Sequence, residues 1–298
     1  MKHLLSIEQL ARADMDRILA DTTKLKQERG RHAKLPLAGQ TWAMVFSKSS
    51  TRTRVSFEVG IRELGGQVIF LPSGEIHLGR GEPIKDTARV LGRMVHGAVF
   101  RTFAQSELEE FARYAQIPTI NALTDHEHPC QILADIFTFQ EKRGAIRGKV
   151  VAFIGDGAGN VANSWAFAAG KSGFELRIAS PKAFHPPADL VQRAGGKIVL
   201  TEDVQAAVTG ADLLYTDVWV SMGKEVESAK RVEQMSGYQI NAAVVRLAKP
   251  DALVMHCLPA YRGKEIDEAT FEANAQTIFD EAENRLHVQK AILNWLVS

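Results

Sequence analysis

Short apolar segments that suit buried strands alternate with segments of helical spacing along almost the whole chain of 298 residues. In the first half, the apolar residues 42–46 precede residues 55–64, where Phe57, Ile61 and Leu64 recur at helical spacing. In the second half, the near-continuous apolar run 149–154 is typical of a parallel strand covered on both faces. Repeated strand–helix–strand units require right-handed crossovers. The sequence therefore predicts an α/β protein with doubly wound parallel sheets.

The length of the chain and the restart of this pattern predict two domains, since a domain takes roughly 150 residues. We expect the first domain over residues 1–134 and the second over 149–280, with the boundary between 135 and 149. Residues 6–9, Ser-Ile-Glu-Gln, resemble a capping box and predict a first helix that continues to about Lys26. Residues 284–298 predict a last amphipathic helix.

Composition excludes several classes of partner. The formal net charge is +1, from 36 basic and 35 acidic residues, so no global field attracts nucleic acid or membranes. Two cysteines are too few for a disulfide framework, which favours a reducing compartment. No apolar run approaches the ~20 residues of a membrane span. Residues 1–5 give way at once to polar ones, so we expect no secretory signal and a cytoplasmic protein.

Polar clusters follow the predicted strands at equivalent positions. Ligands of doubly wound sheets bind outside the carboxyl ends of the strands, so these clusters predict a binding site. They are residues 50–54, Arg101, His128, Asn163, Asp217 and Cys257.

The cluster at residues 47–54, Ser-Lys-Ser-Ser-Thr-Arg-Thr-Arg, has the chemistry of an oxyanion site. It lies where a strand enters a helix N-terminus, whose unpaired N–H groups and dipole favour negative charge. The guanidinium groups of Arg52 and Arg54 add bidentate donors suited to phosphate oxygens. The alternative is a basic, well-capped helix start on a solvated surface. Together with the other clusters, this turn favours a phosphate site.

A glycine-rich turn at residues 155–160 suggests a dinucleotide site, but its spacing does not fit one. Asn160 stands where the third glycine of the fingerprint belongs, and the next predicted strand ends without the acidic residue that holds a ribose. We expect the turn to deliver Asn163 to the site instead. An oxidoreductase that uses a nicotinamide cofactor is therefore the weaker alternative.

Residues 125–130, Asp-His-Glu-His-Pro-Cys, contain side chains that could bind zinc together with His256 and Cys257. Alternating residues of an extended segment point to opposite faces, and no Cys-x-x-Cys pair supports such a site, so we expect no metal. His128 is either a neutral hydrogen-bond partner in the site, with Gln131 beside it, or a structural histidine. Cys257 is either a small buried hydrophobe or a functional thiol that titrates near neutrality.

These motifs together resemble the carbamoyltransferase family, and within it the ornithine branch, over essentially the whole chain. The family markers are residues 50–54, Ser-Thr-Arg-Thr-Arg, and 128–131, His-Pro-Cys-Gln. The branch markers are residues 217–223, Asp-Val-Trp-Val-Ser-Met-Gly, and 256–259, His-Cys-Leu-Pro. An aspartate or putrescine relative would be expected to lack the Ser-Met-Gly segment. Residues 158–159, Ala-Gly, depart from the larger polar residues that relatives often carry there.

The resemblance implies two domains with an interdomain active-site cleft, the last helix packing on the first domain, and a transfer reaction without metal or organic cofactor. The implied carbamoyl phosphate residues are Ser50, Thr51, Arg52, Thr53, His77, Arg101, His128, Gln131, Cys257, Leu258 and Arg285. The implied ornithine residues are Asn163, Asp217, Ser221 and Met222.

The catalytic residues implied by the resemblance are Arg101, His128, Asp217 and Cys257. His77 matches a position that a neighbouring subunit contributes, which implies a homotrimer, and the implied setting is arginine biosynthesis. An amino-acid-binding relative without catalysis would keep Asp217 and Asn163, but it would not need the Arg52, Arg101 and His128 set.

Overall fold

The structure, a computed structural model, describes residues 1–72, 74, 81–220 and 228–298. The chain divides into two compact units. Unit 1 comprises Met1–Leu133 and Glu283–Ser298, and unit 2 comprises Ala134–Ala282. Three of the predicted site residues, His77, Ser221 and Met222, lie outside the described residues.

Unit 1 contains a four-stranded sheet in the order β2-β1-β3-β4, and every pair of neighbouring strands is parallel. The strand order reverses between β1 and β3, so the residues after these two strands meet at a topological switch point. The N–H of Ser47, just after β1, donates to the carbonyl of Arg101 at the end of β3 at 2.7 Å. The elements are α1 (Arg12–Gln27), β1 (Thr41–Phe46), α2 (Thr51–Glu63), β2 (Gln67–Pro72), α3 (Ile84–Leu91), β3 (Gly97–Arg101), α4 (Gln105–Ala115) and β4 (Thr119–Leu123).

Unit 2 contains a five-stranded parallel sheet in the order β7-β6-β5-β8-β9, with its switch point between β5 and β8. Two parallel α/β sheets confirm the predicted fold class. The elements that follow α5 (Pro129–Arg143) are β5 (Val150–Ile154), α6 (Asn160–Ser172), β6 (Glu175–Ala179), α7 (Ala188–Ala194), β7 (Lys197–Thr201), α8 (Val204–Val208), β8 (Leu213–Thr216), α9 (Ser228–Met235), α10 (Ala242–Val245), β9 (Leu253–His256) and α11 (Glu268–Val297).

Two helices, α5 and α11, have residues in both units, because the unit boundaries fall within them. The sequence pattern places the start of the last helix at residue 284, whereas α11 begins at Glu268. The earlier half was missed because its large buried apolar residues are sparse: Phe271 and Ile278 are seven residues apart, with only polar residues and alanines between them.

The first helix also differs from its prediction, since α1 begins at Arg12 and not at the Ser6 cap. The Ser6 hydroxyl does accept the N–H of Gln9, at 3.0 Å. The carboxylate of Glu127, however, accepts the N–H groups of Ile7 and Glu8 at 2.8 and 3.3 Å. A distant carboxylate thus satisfies the donors of this turn, and the turn does not continue as a helix.

Aromatic side chains fill the core beneath the strand ends of each unit. In unit 1 the rings of Phe100 and Phe111 lie 4.7 Å apart, and both are fully buried. In unit 2 the ring of Tyr215 stacks on Phe153 at 5.9 Å and meets Trp165 edge-on at 5.2 Å. Full burial of such a side chain stabilises a fold by about 1.5–3 kcal/mol. Tyr215 therefore fixes the end of β8 two residues before Asp217.

Across the parts of the chain that the structure describes, no helix is long and apolar enough to cross a membrane.

Candidate active site

The predicted oxyanion turn forms the N-terminus of α2 at the switch point of unit 1. Ser50 is the N-cap residue, with extended backbone, and its hydroxyl accepts the N–H of Thr53 at 3.3 Å. Thr51 and Arg52 are the first two residues of the helix, and Thr53 is fully buried. The turn thus presents backbone donors of a helix N-terminus beside hydroxyl groups, an arrangement that suits an anion.

Three guanidinium groups gather around this helix start, and with His128 we call them the cationic cluster. Arg52 comes from α2, Arg101 from the end of β3, and Arg285 from α11. Arg285 is 3 % exposed, and its Nη2 donates to the Thr53 hydroxyl at 2.7 Å. The buried Nε atoms of Arg52 and Arg101 have no hydrogen-bond partner among the described residues. Buried donors of this kind are costly unless a ligand accepts from them.

Burial and then mutual repulsion lower the pKa values of two members of the cationic cluster. Burial, then the charges of Arg285 and Arg52, lowers the pKa of Arg101 to about 9. Burial, then the three guanidinium groups, lowers the pKa of His128 well below its usual value. His128 is therefore neutral at physiological pH and offers an uncharged imidazole. An anion bound here would relieve the repulsion and favour the charged form of Arg101.

Two further polar residues of unit 1, Gln131 and Lys48, are buried. Gln131 lies on α5, 1 % exposed, three residues after His128. The ammonium of Lys48 is buried, pairs with the exposed carboxylate of Asp125, and lies 4.2 Å from the centre of the Phe103 ring. Lys48 is thus paired, whereas the buried Nε atoms of Arg52 and Arg101 have no acceptor among the described residues.

In unit 2, Asp217 and Cys257 meet at the ends of two adjacent strands. Asp217 follows β8 and Cys257 follows β9, and the thiol of Cys257 donates to Asp217 Oδ1 at 2.9 Å. The same oxygen accepts the N–H of Val218 at 2.7 Å. Burial raises the pKa of Asp217. Burial, then the charge of Asp217, raises the pKa of the Cys257 thiol well above its usual value.

Of the two alternatives for Cys257, a thiol that titrates near neutrality is therefore the wrong one. Two effects that both disfavour a thiolate act together, namely desolvation and an adjacent carboxylate. The thiol remains protonated and acts as a hydrogen-bond donor that orients Asp217. It is not available as a proton acceptor at physiological pH.

The turn after Cys257 is fixed by a buried pair, His256 and Glu265. His256 Nε2 and Glu265 Oε1 lie 3.2 Å apart, and neither side chain is exposed. His256 Nδ1 accepts the N–H of Leu258 at 2.9 Å, and Glu265 Oε1 also accepts the N–H of Tyr261 at 2.6 Å. Leu258 has a φ of 58°, the left-handed region that a leucine rarely adopts. A strained residue held by such bonds is typical of a binding site.

The glycine-rich turn after β5 leads into α6, which carries the buried Asn163 in its first turn. A Cβ at Gly157 would lie 2.6 Å from the Ile178 side chain and 2.9 Å from the Phe184 carbonyl, so close packing requires glycine there. Asp156 in this turn forms a buried ion pair with Arg231 on α9. The Arg231 Nε donates to the Trp219 carbonyl at 3.2 Å. Arg231 therefore links the residues on either side of 221–227 to the turn that delivers Asn163.

The segment considered for zinc has other hydrogen bonds. The Cys130 thiol donates to the carbonyl of Asn121 at 3.3 Å, and burial raises the pKa of Cys130 to about 12. Among the described residues, Glu8, His126 and Glu127 are close enough to share a cation. The Glu127 carboxylate already accepts two backbone N–H groups, so its oxygens serve the structure.

The structure thus gathers the predicted residues into two sets. Unit 1 holds Ser50, Thr51, Arg52, Thr53, Arg101, His128, Gln131 and Arg285, and unit 2 holds Asn163, Asp217, Cys257 and Leu258. Sequence reasoning missed two residues, Arg231 and Glu265. Asp156, the partner of Arg231, lies far from it in sequence. His256, the partner of Glu265, is part of the motif at residues 256–259. The only available signal for Glu265 was its place shortly after residues 256–259.

Two family models match the chain in succession. Residues 2–141 match the carbamoyl-P binding domain of aspartate/ornithine carbamoyltransferase. Residues 147–296 match the Asp/Orn binding domain of the same family.

Similar proteins cover the chain almost completely. An ornithine carbamoyltransferase from Akkermansia muciniphila is 54 % identical over 296 residues, which are 98 % of this chain and 97 % of that protein. One from Methylococcus capsulatus is 48 % identical over 297 residues, covering 100 % and 99 % of the two chains. A crystal structure of the anabolic ornithine carbamoyltransferase from Campylobacter jejuni superposes with a TM-score of 0.94 at 42 % identity, covering 99 % of each chain.

The lowered pKa of His128 predicts a specific loss of stability in acid. In the unfolded chain this histidine takes up a proton near pH 6.5, whereas the folded protein resists it. The His128 contribution to stability is therefore complete above about pH 6.5 and is lost as the pH falls below it. Urea unfolding should show that wild type loses more stability than His128→Gln between about pH 7.5 and pH 5.5. Equal losses in the two proteins would contradict the neutral, buried His128.

Proposed function

The chain belongs to the aspartate/ornithine carbamoyltransferase family, and we infer that it transfers the carbamoyl group of carbamoyl phosphate to the δ-amine of L-ornithine, giving L-citrulline and phosphate. The observation that carries this assignment is the likeness to ornithine carbamoyltransferases over the whole chain. The name of the Campylobacter jejuni relative, which is anabolic, supports arginine biosynthesis as the setting.

The cationic cluster and the α2 N-terminus suit carbamoyl phosphate. In this proposal the turn at Ser50, Thr51, Arg52 and Thr53 binds the phosphate, and Arg285 and Gln131 complete its surroundings. The unpartnered buried donors of Arg52 and Arg101 support the assignment, because charge-assisted hydrogen bonds to an anion satisfy them. Each such bond contributes about 1.5–3 kcal/mol.

The same cluster suits the chemistry at the carbamoyl carbon. Attack by the amine produces a tetrahedral transition state whose carbonyl oxygen gains negative charge. Arg101, the Thr53 hydroxyl and the neutral His128 are the donors proposed for that oxygen, and in many enzymes preorganised donors of this kind contribute more to the rate than any other effect. The bond between the carbamoyl carbon and the phosphate oxygen then breaks, the leaving phosphate takes the proton that the attacking nitrogen loses, and it stays with Arg52 and the α2 N-terminus.

The second reactant, ornithine, is proposed to bind in unit 2. Asp217 pairs with an ammonium group, Asn163 hydrogen-bonds the amino acid, and the Cys257 thiol holds Asp217 in place. Ser221 and Met222 are proposed contacts as well, whereas Cys257 and Leu258 are proposed to complete the carbamoyl phosphate site. The reacting amine must be neutral to attack, and an amine of this type has an ordinary pKa of about 10.4. Activity should therefore rise from neutral to alkaline pH.

Carbamoyl phosphate is already an activated carbamoyl donor, so the proposed reaction needs no metal ion or organic cofactor. What the protein supplies is the proximity of two reactants and the donors around the carbonyl. Proximity and orientation alone can lower a barrier by about 7–11 kcal/mol.

We propose a homotrimer in which His77 of one subunit contributes to the carbamoyl phosphate site of its neighbour. Two considerations support shared sites. One is the family membership, and the other is the residue type of His77, since an imidazole can donate a hydrogen bond to a phosphate.

Asp217 predicts the choice of substrate. A carboxylate in a closed site attracts the cationic side chain of ornithine and repels aspartate, which carries an extra negative charge. A coupled citrulline assay should show turnover with ornithine, none with aspartate, and a loss of about tenfold or more in kcat/KM for ornithine in Asp217→Asn. Comparable carbamoylation of aspartate, or full activity of the variant, would contradict the assignment.

Shared active sites predict complementation between two inactive variants. Subunits of His77→Ala and Arg52→Gln should form hybrid trimers in which some sites carry neither substitution, so mixing restores part of the activity. Each variant mixed with itself provides the control. If hybrids form, as measured by native mass spectrometry, and no activity returns, His77 does not serve a neighbouring site.

A further inference from the structure

Two carboxyl side chains of unit 2 are buried against each other, and the proposed mechanism does not use them. Asp135 lies on α5 and Glu281 on α11, and neither is exposed to solvent. Their side chains are hydrogen-bonded to each other. We call these two residues the acid pair.

A hydrogen bond within the acid pair requires a proton. An ionised carboxylate can only accept, so two ionised carboxylates repel each other and cannot form this bond. One proton shared by the two groups gives the bond a donor and leaves a single negative charge in the buried space. The pair then titrates as a unit.

Glu281 connects the acid pair to the end of β9. Its Oε2 accepts the N–H of His256 at 2.9 Å, and its Oε1 lies 3.4 Å from the Tyr215 hydroxyl, which donates. His256 immediately precedes Cys257, and Tyr215 is two residues before Asp217. A single carboxyl group therefore holds the ends of the two strands that carry the Cys257–Asp217 hydrogen bond.

The electrostatic surroundings agree with this geometry. Among the described residues, the titratable side chains of Tyr215 on β8 and Cys257 beyond β9 interact with both carboxyl groups, and the backbone of His256 bonds to Glu281. Burial, then Asp135, raises the pKa of Glu281 well above its usual value. The charges of Glu281 and Asp135 add to those effects, led by burial and Asp217, that raise the pKa of Cys257.

We propose that Asp135 and Glu281 share one proton and act together as positioning residues, which hold the β9 end through His256 and keep Cys257 as a thiol that donates to Asp217. The acid pair itself does not contact substrate. Its role in ornithine binding rests on the proposed function, whereas the shared proton and the state of Cys257 do not.

The shared proton makes amide substitutions informative. In Asp135→Asn or Glu281→Gln, the new amide N–H takes the place of the shared proton, and one carboxylate keeps the single negative charge. The double variant Asp135→Asn/Glu281→Gln keeps the shape and a hydrogen bond between amides, but it removes the charge. In Glu281→Gln the amide oxygen can still accept the N–H of His256.

Stability as a function of pH tests the proton. The folded acid pair retains a proton that both carboxyl groups lose in the unfolded chain above about pH 5. The wild-type unfolding constant should therefore rise, relative to that of Asp135→Asn, by about tenfold per pH unit between about pH 5 and pH 7. A ratio of the two constants that does not change with pH would overturn the shared proton.

The reactivity of Cys257 tests the positioning role without an activity assay. Alkylation of Cys257 by iodoacetamide, followed by peptide mass spectrometry across pH, reports its thiolate fraction. The single amide variants should match wild type, whereas the double variant should shift the profile to lower pH and react severalfold faster at a fixed pH. Glu175→Gln, the same change at the start of β6, is the matched control and should leave the profile unchanged.

Two results would overturn the role of the acid pair at Cys257. One is a double-variant profile that superimposes on wild type, and the other is an equal shift in Glu175→Gln.

A steady-state comparison then separates this inference from the proposed function. Glu281→Leu, whose side chain cannot accept the N–H of His256, should raise the KM for ornithine. Glu281→Gln, whose amide oxygen can accept it, should have the KM of wild type. If neither wild type nor any variant makes citrulline, the proposed function fails, whereas the results on the shared proton and on the Cys257 thiol still stand.

Discussion

The confinement of three guanidinium groups at one helix start, where burial and mutual repulsion both disfavour their charge, is the constraint on which the site of unit 1 depends. Arg52, Arg101 and Arg285 come from three different elements, so each is held by the packing of its own helix or strand. Burial, then the charges of Arg285 and Arg52, lowers the pKa of Arg101 to about 9, so both effects disfavour its charged form. A bound oxyanion offsets that cost, and the donors without partners then have acceptors. Binding of an oxyanion would therefore also relieve the repulsion among the guanidinium groups.

The buried side chains near the ends of β8 and β9 in unit 2 are acidic, opposite in charge to the cationic cluster of unit 1. Asp217, Asp135 and Glu281 are concentrated beneath the ends of β8 and β9, and the pKa values of Asp217 and Glu281 are raised. An excess of carboxyl groups suits a cationic amino acid, just as an excess of guanidinium groups suits a phosphate. Burial, and then these acidic surroundings, raises the pKa of Cys257, so the thiol donates and does not accept. This difference in charge supports the proposal that each unit binds one of the two reactants.

The sequence predicted the architecture because the strands are short and apolar and the polar clusters follow them directly. Residues 42–46 lie in β1, and residues 149–154 correspond to β5, which begins at Val150. Ser50 is the N-cap of α2, as its chemistry indicates. The start of α11 was missed because its buried apolar residues are sparse. The pairs Asp156–Arg231 and Asp135–Glu281 could not be predicted, since their members are 75 and 146 residues apart and only the fold brings them together. The protonation state of Cys257 depends on burial and on such neighbours, and so the sequence left two alternatives open for it.

The most direct test of this account is the affinity of carbamoyl phosphate for the cationic cluster, measured by titration calorimetry in the absence of ornithine. Arg101→Gln should bind it about tenfold or more weakly than wild type, because a buried charge-assisted contact is lost. Arg113→Gln on the exposed face of α4 is the matched control and should bind as wild type does. Equal affinity of all three proteins would show that carbamoyl phosphate does not bind at the cationic cluster, and the account would then be wrong.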